Sequence, residues 1–311
     1  MNRKWKIGIV GCGRVGRALA IGLKNAGFPV VLLVDNNRGL LLTLQGIFRE
    51  TTVTPTFGDW PELEVLFITV NDDAISSTAE RIAAAGVRLK GAVVAHTSGA
   101  LTSDALSALK SSGASLGSMH PVQTFSGAHR DVRNLSGIYY ALEGEAAALS
   151  RLREIVRALN GKALEIRKED KVRHHLACVM ASNYVVTLVN VAANLLKPIG
   201  LNEEEAKQVL LPLLRASVRN VAGRSLATAL TGPIARGDTD TVRRHLSLMQ
   251  QEYPDLLPVY AELARMTVRL AAKQPHAPEA ALREIAGLLD RACQELPAGE
   301  DGNPATGKDG V

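Results

Sequence analysis

The first half of the chain alternates short β-branched apolar runs with amphipathic ones. Residues 6–10, 30–34, 52–57, 65–70, 92–96, 115–119 and 138–142 have the composition of strands. Helical spacing fills most of the intervals, over 15–25, 40–49, 74–85 and 103–111. A helix over 145–159 and a short strand at 163–166 complete the series. Strands apolar on both faces and alternating with helices predict an α/β domain built on a doubly wound, mostly parallel sheet.

From Lys168 onward the pattern is helical only. The run 174–196 is long and apolar, and Pro198-Ile199-Gly200 stops it. Residues 203–221 restart the pattern, with Glu203, Glu204 and Glu205 in the first turn, where negative charge suits the helix dipole. Asp238 is placed to cap a helix over 239–251. A helix over 255–273 sets Val259, Leu263, Met266 and Leu270 on one stripe, and Leu282, Ile285, Leu289, Ala292 and Leu296 make another. The uncharged segment 177–196 has about the length of a membrane span. Ser182, Asn183, Asn190 and Asn194 recur through it, so a buried central helix is expected instead. The end, 297–311, is rich in Gly, Pro, Asp and Ala and reads as a disordered tail. The expected organisation is a nucleotide domain at 1–167, an all-helical substrate and dimerisation domain at 168–296, and that tail.

One stretch gives the first domain a chemistry. In Ile7-Gly8-Ile9-Val10-Gly11-Cys12-Gly13-Arg14-Val15-Gly16 a strand runs into glycines at G-x-G-x-x-G spacing, and a helix follows. Gly11 permits the tight turn, Gly13 lets backbone approach a pyrophosphate, and Gly16 allows close helix–sheet packing. Cys12, Arg14 and Val15 complete a loop whose N–H groups and helix dipole suit an anion. Asp35 closes the second strand at the spacing of a ribose-binding acid, which makes this a Rossmann dinucleotide site. Its carboxylate favours NAD, whereas Arg38 could cover the 2′-phosphate of NADP or be a solvated turn residue.

Composition narrows the field further. The 311-residue chain carries a net charge of +5, and its basic residues are scattered without interleaved aromatics. Nucleic acid is therefore not an expected partner. Cys12, Cys178 and Cys293 are isolated and lack metal-ligand spacing, which suits a reduced cytoplasmic protein without a metal. The basic start leads into a strand ending in glycines, so neither a signal peptide nor a membrane anchor is expected.

Several loops at strand ends carry candidate chemistry. Val70 and Asn71 stand where they would touch the dinucleotide, and Asp72 or Asp73 would cap the helix at Ala74. In His96-Thr97-Ser98-Gly99-Ala100, Ser98 either binds cofactor and substrate oxygens or serves as a turn cap. His120 ends a strand before Pro121, at a rim where an imidazole would exchange a proton during hydride transfer. Lys171 and His175 share a helix face, and Asn183 lies two turns further along it. Each also has a bland reading, as a core histidine, a solvated lysine or an ordinary helix residue. Thr231-Gly232-Pro233-Ile234-Ala235-Arg236-Gly237-Asp238 is a constrained loop, in which Arg236 either holds a substrate anion or anchors a helix end.

Together, these motifs resemble a particular family. The glycine turn, Ser98-Gly99-Ala100-Leu101, Gly117-Ser118 through His120-Pro121 to Gln123-Thr124-Phe125, the helix from His175 to Ser182-Asn183, and Thr231-Gly232-Pro233 to Arg236-Gly237-Asp238 carry the likeness. They resemble Rossmann-like proteins whose C-terminal part is the domain of unknown function 2520. The resemblance implies a fold related to 6-phosphogluconate, prephenate and pyrroline-5-carboxylate oxidoreductases, and a homodimer formed through the helical domain. Ser98-Gly99 is similar to the serine-glycine loop of β-hydroxyacid dehydrogenases, and Lys171 resembles their lysine. His175 stands where they carry asparagine. His120-Pro121 resembles the His-Pro of prephenate dehydrogenases.

The function expected is an NAD(P)-dependent oxidoreductase moving hydride to or from a small, anionic hydroxy- or imino-acid-like substrate. Ser98 and Asn183 would orient it, His120 or His175 would exchange the proton, and Lys171 or Arg236 would meet its charge. The nicotinamide is expected between the domains. A dinucleotide-binding redox sensor or interaction protein without catalysis is the alternative. Convergence of His120, Lys171, His175 and Asn183 on one spot separates the two.

Overall fold

The computed structural model describes residues 4–127 and 129–294. The expected tail, and Leu296 before it, lie outside these residues. Two compact units are present, Met1–Leu188 and Val189–Val311.

The first unit is organised by β1 (Ile7–Val10), α1 (Arg14–Asn25), β2 (Val30–Val34), α2 (Arg38–Ile47), β3 (Thr52–Thr54) and β4 (Val65–Ile68). Then come α3 (Ile75–Ala84), β5 (Val93–His96), β6 (Ser115–Pro121), β7 (Tyr139–Gly144), α4 (Ala146–Ala158) and β8 (Lys162–Glu165). The strands form one sheet in the order β3-β2-β1-β4-β5-β6-β7-β8. All neighbours run parallel except β6 and β7, which are antiparallel. Strand order reverses between β1 and β4, so a crevice opens beyond their carboxyl ends. One face of the sheet is covered by α1 and α4 side chains such as Leu19, Leu23, Leu152 and Ile155. The other is covered by Ile75, Ala79 and Ile82 of α3 together with Leu106 and Leu109. The expected doubly wound sheet is therefore present, and the alternation of strand and helix was a sound guide to it.

Residues Ser103–Ser112 form a 3-10 helix rather than an α-helix. Its buried residues are Ser103, Leu106 and Leu109, three apart, which is the period of a 3-10 turn. The expected single helix over 174–196 is also two helices, α5 (Lys171–Ala181) and α6 (Asn183–Leu195). Ser182 breaks it at φ −128° and ψ −71°, its hydroxyl donating to the Cys178 carbonyl at 2.6 Å. Such back-bonding offers the chain an alternative to the helical ladder. The first unit thus runs past residue 168, where helix-only patterning begins, and takes in α5.

The expectation that 177–196 is buried is not met, since Ala193 alone is buried there. Met180, Tyr184, Val186 and Leu188 are exposed. Lys168–Ile199 is long and apolar enough, by length and composition, to cross a membrane. Periodicity reports that a helix has an apolar face, not what covers it.

The second unit contains α7 (Glu203–Gly223), α8 (Leu226–Ala229), α9 (Pro233–Arg236), α10 (Thr239–Glu252), α11 (Leu257–Ala271) and α12 (Glu279–Gln294). Asn202 caps α7 in a reciprocal box with Glu205, and Asp238 caps α10 by accepting from the Thr241 N–H at 3.1 Å. Leu282, Ile285, Leu289 and Ala292 are buried as their stripe predicts. The other stripe is not: Val259, Leu263 and Met266 are exposed. On α11 it is Leu257, Ala261, Ala264 and Ala271 that face the core. The small alanines allow close helix packing, so the larger residues fall on the outer face.

Candidate active site

At the end of β1, Gly11 adopts φ +88°, and a Cβ there would lie 2.7 Å from Val70 Cγ1 and 2.8 Å from its amide nitrogen. A Cβ on Gly16 would strike the Gly11 carbonyl and the Thr69 hydroxyl, which are hydrogen-bonded to each other. Gly13 is different, for its Cβ would meet nothing within 4 Å. It is also the N-cap of α1 and supplies no side-chain cap, so the first-turn N–H groups of that helix remain for an anion. This combination fits a pyrophosphate resting on Gly13, with Arg14 and Val15 beside it.

Two clefts meet at this turn. One is lined by Asp35, Asn36, Pro55, Phe57, Thr78 and Arg81, among others. The other has a volume of about 680 Å³ and is lined by Arg14, Ser98, Gly99, His120, Gln123 and His175, among others. Both include Gly13, Thr69, Val70 and Asn71, which make one continuous groove across the ends of β1, β4 and β5. Asp35 is held at the first end, Oδ2 accepting from the Cys12 N–H at 2.6 Å and Oδ1 from the Asn37 N–H at 2.8 Å. Both oxygens of its carboxylate are thereby held in place at the edge of the cleft. Arg38 starts α2 and is exposed. Cys12 lends its amide to Asp35, while its buried thiol donates to the Val34 carbonyl and is pushed up to about 12 by burial and the Asp35 charge.

At the other end, three histidines gather. The ring centroid of His120 lies 5.5 Å from that of His174 and 6.2 Å from that of His175. Gly99 makes room for them: a Cβ there would sit 2.6 Å from His175 Cδ2 and 2.9 Å from His120 Nε2. Burial, then the Lys171 charge and the other two imidazoles, bring His120 down to about 3, so it is neutral near pH 7. Burial also lowers His174, and it lowers His96, whose Nδ1 accepts from the Ser98 N–H. In that tautomer, His96 Nε2 donates to the Thr102 carbonyl at 2.9 Å.

These shifts give a sign for acid stability. Below 6.5 the unfolded chain takes up a proton that folded His120 refuses until about pH 3, so folding weakens as pH falls through that window. Denaturant midpoints measured from neutral to acid pH should fall less steeply for His120→Asn than for the parent. Parallel curves would mean that His120 is not the group responsible.

Lys171 lies beneath the histidines rather than in the groove. It is fully buried, and Nζ donates to the Ser98 carbonyl at 2.8 Å and to Ser118 Oγ at 3.0 Å. Burial brings it down to about 8 against the opposing pull of Glu143 and Asp72. Glu143, buried on β7 opposite Ser118, accepts from Ser103 N at 2.7 Å, Ser103 Oγ at 2.8 Å and Ser118 Oγ at 3.2 Å. Ser98 lines the groove, but its hydroxyl donates to Asp72 at 2.6 Å and accepts from the Ala100 and Leu101 N–H groups. Its expected contact with a substrate oxygen therefore gives way to the turn-cap reading. Asn183 is exposed and accepts from Ser182 Oγ at 3.0 Å, because the break at Ser182 removes the two-turn phase relation to His175. Of the four residues expected to converge, His120 and His175 share the groove, Lys171 supports it from below, and Asn183 is not among its lining. Arg236 belongs to the second unit, 3.9 Å from Asp238.

Three features lay beyond sequence reasoning. Glu143 ends a strand whose partner was not predictable, and only the antiparallel pairing puts it opposite Ser118. Arg81 stands 4.5 Å over the Phe57 ring in the Asp35 cleft, a pairing that helix periodicity does not announce. His174 joins Cys178 and His120 in a group whose donor atoms all lie within 4.8 Å of one another. The spacing of cysteines gave no hint of that group, although His174 and Cys178, one helical turn apart, carried half the signal.

Comparison with known proteins agrees with this fold. Residues 1–121 match the model of a Rossmann-like domain, and residues 138–267 match a domain of unknown function (DUF2520). No curated protein matches the chain significantly. Among solved structures, protein TM1727 from Thermotoga maritima is similar with a TM-score of 0.71 and 24% identity, over 87% of this chain and all of that one. BF3122 from Bacteroides fragilis, described as a candidate NADP oxidoreductase, gives 0.67 and 23% over 85% of this chain and 98% of its own. Pyrroline carboxylate reductase from Plasmodium falciparum, solved with NADP bound, gives 0.53 and 15% over 91% and 98%. At these identities the likeness is one of fold. The chain therefore joins a Rossmann-like domain to a C-terminal DUF2520 domain.

Proposed function

We propose that the protein is an NAD(P)-dependent oxidoreductase acting on a small hydroxy- or imino-acid-like substrate. The observation that carries the reading is the continuous groove, with a fixed carboxylate at one end, the open Gly13 turn in its middle and two imidazoles at the other. The cofactor, when bound, supplies the hydride acceptor or donor. The residues of the chain do the rest. Asp35 would hold the adenosine ribose, Gly13 and the start of α1 the pyrophosphate, and Asn71 the nicotinamide half. Neutral His120 would hydrogen-bond the substrate oxygen or nitrogen through Nε2, the atom that faces Gly99. His175, in the same groove, would exchange the proton that accompanies hydride, since a group as acidic as His120 is a poor match for neutral pH. Lys171 is a positioning residue that fixes the Ser98 carbonyl and so the loop under both rings. Arg14 and Gln123 give an anionic substrate polar partners in the groove.

The Asp35 carboxylate supports NAD as the preferred cofactor, and NADP in the similar structures supports the other choice. Asp35→Ala should weaken NADH binding by about tenfold or more and NADPH binding much less, an effect of about 1.4 kcal/mol. Equal losses would make Asp35 a structural brace for the Cys12 amide. A dehydrogenase screen of small hydroxy acids and imines with the preferred cofactor then tests catalysis. Tight nucleotide binding without turnover on any of them, and no loss on His175→Ala, would favour the redox-sensor alternative. The exposed apolar residues of α5 and α6, and separately those on α7 and α11, support a homodimer. Light scattering should give about twice the 33.2 kDa chain mass, and a monomer at micromolar concentration would contradict this.

A further inference from the structure

His120, His174 and Cys178 are drawn together by two different elements. His120 comes from the end of β6, while His174 and Cys178 are one turn apart on the same face of α5. His120 Nδ1 stands 3.3 Å from His174 Nε2, and that nitrogen stands 3.8 Å from Cys178 Sγ. All three donor atoms fall within 4.8 Å of one another, and all three side chains are half-buried. A tetrahedral zinc ion binds histidine nitrogen at about 2.0–2.1 Å and cysteine sulfur at about 2.3 Å, which sets neighbouring ligand atoms roughly 3.3–3.6 Å apart. Two of the three edges are therefore close to the spacing of a metal site, and the third, from His120 to Cys178, is within 4.8 Å.

The chemistry of the donors is selective. Two imidazoles and a thiol suit zinc, cobalt or a similar divalent transition ion, and exclude magnesium and calcium, which take oxygen ligands. His120 also presents its two nitrogens to different places, Nδ1 to His174 and Nε2 to Gly99 at the groove. From these positions we propose that His120, His174 and Cys178 form a three-ligand transition-metal site beside the groove, with its fourth position open. An ion there would fix His120 with its proton on Nε2, making it a hydrogen-bond donor towards the groove. No metal was expected from the cysteine spacing, and this proposal departs from that expectation.

The test uses the full-length chain, stripped of metal and titrated with Co(II) and then with Zn(II). About one equivalent of Co(II) should bind, with visible bands of a tetrahedral site and a thiolate-to-cobalt charge-transfer band in the near ultraviolet. Zn(II) should displace it. Cys178→Ser should abolish the charge-transfer band, and His174→Ala should weaken binding by at least about tenfold, with circular dichroism confirming that both variants fold. Co(II) spectra of octahedral type, or equal affinity in parent and both variants, would overturn the proposal. NADH and NADPH titrations on the same stripped protein report nucleotide binding separately, so either reading can fail without the other.

Discussion

Replacing Lys171 by alanine is expected to cost about 3–5 kcal/mol of folding stability, the loss typical of removing one partner from a buried charged network. The ammonium is fully buried and ties the Ser98 carbonyl to Ser118, whose hydroxyl in turn reaches Glu143. Without it, buried Glu143 loses the cation that faces it across Ser118, and the loop carrying Gly99 loses its support. Lys171→Met retains most of the stem volume, so a loss of similar size would assign the effect to charge rather than to packing. A pH signature belongs to the parent alone. Lysine titrates at 10.5 when unfolded but at about 8 here, so between those values the unfolded chain holds a proton that the native one has released. Lys171 should therefore add stability as pH rises from about 8, opposed above about 9 by Cys12, whose thiol stays protonated in the native chain, so the difference between the parent and Lys171→Met isolates the lysine. An unfolding free energy in urea lower than the parent's by less than about 0.5 kcal/mol would show instead that Lys171 contributes no more than an ordinary surface residue.

The second large effect separates two glycines of one turn. Gly16→Ala should lose nucleotide binding together with stability, at a cost of about 1–3 kcal/mol or more, because its Cβ would be driven into the Gly11 carbonyl. Gly13→Ala should fold as well as the parent, within about 0.5 kcal/mol, since its Cβ would enter open space. Yet it should bind dinucleotide at least about tenfold more weakly, because that space is where the pyrophosphate must approach. Thermal melts and fluorescence titrations on the two variants decide the matter. Undiminished binding in Gly13→Ala would remove the pyrophosphate from this turn.

The sheet was legible because its strands are short, apolar on both faces and separated by amphipathic helices. The glycine turn was legible because Gly11 and Gly16 answer local steric demands that sequence spacing expresses directly, with Gly13 leaving open space between them. What escaped depends on contacts distant in the chain. Nothing near Glu143 announces Ser103, and nothing near Lys171 announces Ser98 and Ser118. Both sites were assembled by strand pairing and by the seating of α5. Asn183 was assigned to the groove on the assumption of an unbroken helix, and one serine hydroxyl bonding back to Cys178 undid it. The apolar stripe of α11 was correctly seen as a stripe, but periodicity does not register that alanines pack closer than Leu263 and Met266 allow, and it is the alanine face that is buried.

The most direct test of the account is a titration of the full-length protein with NADH and with NADPH, followed by nicotinamide fluorescence, on the parent and on Gly13→Ala. Saturable binding of at least one cofactor, at about one site per chain and weakened at least about tenfold in the variant, is the predicted result. No saturable binding of either nucleotide by the folded parent would contradict the dinucleotide groove on which the proposed function rests.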